Sequence, residues 1–130
     1  MDDFQIRIMK ELGLNNNFER VLNYYWVEGY KYLVFFEKEI DENDIPSILD
    51  IIGNDGTGYP FNSNYLIIVV APITNGFFKS KDLYYARNVG ENVVFVLYSV
   101  NNNTIFYPTG FVFPIRFSYR KLIKKIRECF

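Results

Sequence analysis

Five carboxylates crowd the stretch from Glu37 to Asp44, where the chain reads Glu-Lys-Glu-Ile-Asp-Glu-Asn-Asp. Glu37, Glu39, Asp41, Glu42 and Asp44 form the densest set of chemically capable side chains in the sequence. Alternate residues of a strand share a face, so Glu37 and Glu39 could together hold Mg²⁺ or Mn²⁺. Two simpler roles suit the same residues. One is a solvated strand end followed by a helix N-terminus, which favours acids. The other is an acidic patch that meets a protein partner.

A second charged group lies near the other end. Residues 118–130 carry Arg120, Lys121, Lys124, Lys125 and Arg127 against one acid, Glu128. Helix-spaced cations could grip phosphates or an acidic partner. Cations in a last turn also stabilise a helix with no further role. A pI near 5.4 argues against a dedicated nucleic-acid binder.

The remaining composition removes most catalytic chemistry. The 130 residues include no histidine and one cysteine, Cys129. Ser–His and Cys–His pairs, imidazole bases and the usual zinc ligand sets are therefore excluded. Ser47, Ser63, Ser80, Ser99 and Ser118 have no visible base to activate them. No catalytic residue, metal or cofactor is expected. A single cysteine also excludes an internal disulfide. Aromatic rings are abundant, with 11 Tyr, 13 Phe and Trp26. They furnish a core and rim, and any surplus would form a recognition surface.

The Gly-Asn-Asp-Gly-Thr-Gly segment beginning at Gly53 has the glycines of a phosphate loop. It follows a predicted helix and precedes a strand, the reverse of the order such a loop needs, and it lacks Gly-Lys-Ser/Thr. A plain connection is expected there.

These residues need elements to position them. An amphipathic helix is predicted over 2–14, with Phe4, Ile8, Met9 and Leu12 on one side and Gly13 as its stop. Residues 18–26 and 30–37 form a hairpin about Glu28-Gly29. Asn43 or Asp44 caps a helix carrying Ile45, Ile48, Leu49 and Ile52, ended by Gly53. Residues 65–71 (YLIIVVA) are apolar on both alternating faces, the mark of a strand covered on both sides. A short helix is expected over 80–88 and a buried strand over 93–100. Residues 104–107 pair back, residues 111–117 extend that hairpin, and Ser118 caps a final helix. The outcome is one α/β domain (α+β being the neighbouring class), with a central mixed sheet of about five strands and helices at both ends of the chain.

The order of elements over roughly residues 18–100 is similar to the restriction-endonuclease-like core. That resemblance implies metal-dependent nuclease activity near Glu37 and Glu39, or a degenerate relative of it. The chain departs from the pattern because Lys38 directly follows Glu37 and no Asp lies in the preceding strand.

Charge is uneven along the chain. Residues 1–60 hold twelve acids and five bases, whereas residues 61–130 hold three acids and nine bases. The halves either form separate acidic and basic faces or interleave in space. The N-terminus opens acidic, without a basic and then apolar signal, and the longest apolar run is too short to span a bilayer. A cytoplasmic location without membrane association follows as an expectation. The leading reading is a small non-catalytic interaction protein, an inhibitor or immunity-type module that binds another protein through acidic and aromatic surface.

Overall fold

A computed structural model of the chain describes residues 1–56, 64–74, 76, 78–87, 90–109 and 117–130. Helix α1 (Asp3–Glu11) precedes strands β1 (Asn17–Glu19), β2 (Asn23–Glu28) and β3 (Lys31–Phe35). Helix α2 (Asp44–Asp55) leads to β4 (Tyr65–Pro72), followed by a 3₁₀ turn at Ser80–Asp82. Strands β5 (Tyr84–Arg87), β6 (Glu91–Ser99) and β7 (Thr104–Phe106) precede helix α3 (Phe117–Glu128).

The strands form one mixed sheet in the order β1-β2-β3-β4-β6-β5, with β7 also on β6. Strands β3, β4 and β6 run parallel at its centre. Each of these is apolar on both faces because helices cover both sides of the sheet. Tyr32, Ile67 and Val93 lie in register and face the core beneath α2. One residue on, Leu33, Ile68 and Val94 face α1 and α3. The α2 layer contributes Ile45, Ile48 and Ile52, and the opposite layer contributes Phe4, Ile8, Tyr119, Leu122, Ile123 and Ile126.

Local chemistry explains the helix ends. The Asp2 carboxylate accepts the Gln5 N–H at 2.9 Å and caps α1. At the other end the Gly13 N–H donates to Lys10 and the Leu14 N–H to Met9, with Gly13 at φ +59°. This is the paired closure that a left-handed glycine permits. Leu14, next in the chain, is buried beside Ile8.

Several expectations need correction. Among the described residues the sheet has seven strands, where about five were expected. Residues 18–26 divide into β1 and β2, which pair with each other across a bend at 20–22. The helix expected over 80–88 is a single 3₁₀ turn followed by β5, because Tyr84 and Tyr85 pair with Val94 and Val93 of β6. Gly53 does not stop α2, which continues to Asp55 with Gly56 at its end. Asn43 occupies the cap position of α2, but its side chain makes no capping bond. Ser118 lies inside α3 rather than at its cap. The strand expected over 111–117 falls on residues 111–116, outside the described residues, and on Phe117, the first residue of α3.

Candidate functional site

In open α/β sheets, ligands meet the loops beyond the carboxyl ends of the parallel strands. Here those ends are Phe35, Pro72 and Ser99. The chain beyond β3 stays attached to β4. The Phe36 N–H donates to Val70 and the Ile40 N–H to Pro72, each at 2.9 Å, and Ile40 bridges Ile73. Ile40 is buried. Residues 37–39 therefore arch between two fixed points, with all three side chains exposed.

This arch brings Glu37 and Glu39 to one depression of about 380 Å³, together with Asp2, Thr74, Asn101 and Asn102. The two glutamates share that depression but not a strand face, since β3 ends at Phe35. Asp2, Asn101 and Asn102 escape a sequence reading because their approach to the arch depends on long-range folding. The only local sign at Asp2 is its suitability for a helix start.

Two of the three carboxylates are engaged. The second Asp2 oxygen accepts the Tyr98 hydroxyl at 2.5 Å. The fully buried Gln5 amide donates to that hydroxyl at 2.8 Å and to the Phe36 carbonyl at 2.7 Å. Burial, reinforced by the Asp2 carboxylate, pushes the Tyr98 hydroxyl well above its usual range and keeps it protonated as a donor. The start of α1 is thereby tied to the ends of β3 and β6. Glu37 lies 2.6 Å from the Met1 amino group and raises the pKa of that amine, chiefly by accepting its hydrogen bond.

The other acids continue outward from the arch. Asp41 accepts the Asn43 N–H and Asp44 accepts the Asp41 N–H, so both shape the turn into α2. The Glu39 and Glu42 side chains make no hydrogen bond or ion pair among the described residues. All five predicted acids are exposed, as is Asp50 on α2. No Lys or Arg occurs anywhere between Lys38 and Lys79. Residues 39–78 therefore carry acids and no bases, while Lys38 stands exposed in the arch itself. No group of three or more His, Cys, Asp or Glu among the described residues could hold a metal ion.

Asp55, placed in a plain connection by the sequence, is buried at the end of α2. Its carboxylate accepts the Val21 and Leu22 N–H groups at 3.3 and 3.2 Å and the Tyr24 hydroxyl at 2.7 Å. Those bonds hold the bend between β1 and β2. Burial and then Asp55 itself push the Tyr24 hydroxyl upward. The role is architectural.

The five predicted cations sit on the opposite face of the sheet, all exposed on α3. Arg120, Lys124 and Arg127 border a cleft with Tyr107 and Thr109. Lys121 and Lys125 border a groove that includes Glu11 and Glu28. Lys121 rests over the Phe117 ring at 5.4 Å, and Lys124 lies 3.9 Å from Glu128. The exposed rings Trp26 and Tyr30 flank the turn before β3, at the opposite end of that strand from the acidic arch. Among the described residues these two exposed rings do not merge with the acidic arch into one patch. No helix among the described residues is long and apolar enough to cross a membrane. Comparison with protein-family models, curated proteins and solved structures finds no match to this chain.

Proposed function

We propose that the protein is a small non-catalytic intracellular interaction module, of the inhibitor or immunity type, whose partner is a basic protein. The docking surface runs from the arch at residues 37–39 across the outer side of α2. One observation carries this reading: Glu39, Asp41, Glu42, Asp44 and Asp50 are all exposed in a stretch without a single base. A folded protein gains little from such exposed charges and loses some stability to their mutual repulsion. A positively charged partner gains both attraction and a faster encounter.

The test is capture from the native host with the full chain as bait, followed by mass spectrometry. The bait is compared with the variant E39K/D41K/E42K. The reading expects a basic protein held by the parent chain and lost by the variant. Equal capture by both baits overturns it.

A further inference from the structure

The acidic face leaves the basic cleft beside α3 unexplained. Arg120, Lys124 and Arg127 follow one another at helical spacing, about 6 Å and then about 4.5 Å along the axis. They border a cleft of about 280 Å³ whose opposite wall is Tyr107 and Thr109 and whose floor includes buried Ile123.

Both walls are positioned in advance. The Arg127 guanidinium lies over the Tyr107 ring at 5.0 Å and donates to the Tyr107 hydroxyl. Stacking limits the freedom of its fork while leaving other donors for a ligand. The Ser80 hydroxyl fixes the facing wall: it accepts the Thr109 N–H at 2.5 Å and contacts the Thr109 carbonyl oxygen at 3.1 Å. No carboxylate lines the cleft among the described residues, and residues 110–116 contain no acid. The groove between α1 and α3 is different, since Glu11 and Glu128 stand there among Arg7, Lys10 and Lys125. Three cations and two hydroxyl-bearing side chains, with no lining carboxylate among the described residues and Glu128 touching only Lys124 at 3.9 Å from outside the lining, describe a receptor for a compact anion with several acceptor oxygens. Arginine forks match the geometry of such oxygens.

We propose that this cleft binds a phosphate ester, with Arg120, Lys124 and Arg127 supplying the charge and the fixed Tyr107–Thr109 wall limiting access. The phosphate could belong to a small molecule or to a single-stranded nucleic acid, and the two sources give different signatures. The probes are inorganic pyrophosphate and a single-stranded oligonucleotide, each titrated into the full chain with amide shifts followed by NMR. Saturable shifts confined to residues 107–109 and 120–127 are expected. If the source is nucleic acid, the oligonucleotide binds more tightly, and the logarithm of its affinity falls with that of salt at a slope of about −2 for three contacts. If it is a small molecule, pyrophosphate binds at least as tightly as the oligonucleotide.

Lys124→Gln and Arg127→Gln should each weaken the better probe about tenfold, the usual scale for a lost charge-assisted bond. The double variant K121Q/K125Q removes twice the charge of either single variant from the other side of α3 and should leave binding nearly unchanged. Unaltered dispersion of the remaining amide peaks shows that each variant is folded. Three outcomes overturn the proposal: no saturable shift with either probe, equal weakening by K121Q/K125Q, or tighter binding of an acidic peptide than of either phosphate probe.

Discussion

The two helical layers pack on one sheet by the same physics, yet their outer surfaces have opposite character. Residues alternate along β4 so that Ile67 and Val69 serve the α2 side while Ile68 and Val70 serve α1 and α3. Each inner side is apolar and closely packed. Outside, α2 and the arch before it present Glu39, Asp41, Glu42, Asp44 and Asp50, whereas α3 presents five cations. Burial accounts for the inner residues completely, but nothing in the packing requires the outer charges to separate by face. Foldability resides on the inside, and the surfaces proposed for binding lie on the outside.

The sharpest test of that division is a deletion beneath each layer. Ile68→Ala and Ile67→Ala should each cost about 2–5 kcal/mol, because both side chains are fully buried in the central strand. Urea unfolding measures the loss. A cost below about 0.5 kcal/mol on one side, far under that range, would show that its layer is not a core.

Next comes a comparison among acids. Asp55→Ala removes the acceptor of two part-buried backbone N–H groups and of the buried Tyr24 hydroxyl, and should cost about 2–3 kcal/mol. Glu42→Ala, at an exposed position, should stay within about 0.5 kcal/mol of the parent. Equal effects in thermal unfolding would erase the distinction between architectural and available carboxylates.

Alkaline titration probes the two tyrosines, one serving each layer. Tyr24 and Tyr98 both have their folded-state pKa raised, by burial first and then by Asp55 and Asp2 respectively. The unfolded chain releases these protons near the ordinary value of about 10. Their contribution is therefore complete below that pH and declines as pH rises above it. Stability should fall through this alkaline window, and the decline should be shallower in Y24F/Y98F. An equally steep fall in that variant would assign the effect to other groups.

The triple reversal E39K/D41K/E42K should disturb the fold only modestly, chiefly through the bond that Asp41 accepts from the Asn43 N–H, since exposed charges contribute about 0–1 kcal/mol each. Its effect on association with a basic partner should be several-fold slowing that fades as salt screens the charges over roughly 10 Å. Stopped-flow rates at two salt concentrations decide it. Unchanged rates at low salt would reduce the acidic run to a turn and a helix start.

Much of this arrangement is legible in the sequence. YLIIVVA announces a strand buried on both faces because its apolar residues leave no polar side, and it occupies the middle of the sheet. Tyr119, Leu122, Ile123 and Ile126 mark the inner side of α3 through their spacing alone. The failures arise where distant partners override local signals. Ser80-Lys81-Asp82 has the polar character of a helix start, but pairing of Tyr84 and Tyr85 with β6 converts the following residues to a strand. Asp55 lies among glycines that suggest a loop, and only folding brings Val21, Leu22 and Tyr24 to it. The depression at the carboxyl end is hidden for the same reason, since Asp2 and Asn102 lie 100 positions apart in the chain.

Strand β6 gives one side to β4 over nearly its whole length. Its other side is divided between β5 at residues 91–94 and β7 at residues 97–99. At the far margin stands β1, three residues long and bearing exposed Asn17 and Glu19. Long bare strand margins recruit strands from other chains and seed aggregation. This sheet ends instead in short pieces of three or four residues. Among the described residues its apolar centre is thereby covered at both margins, and little backbone stands bare as a template.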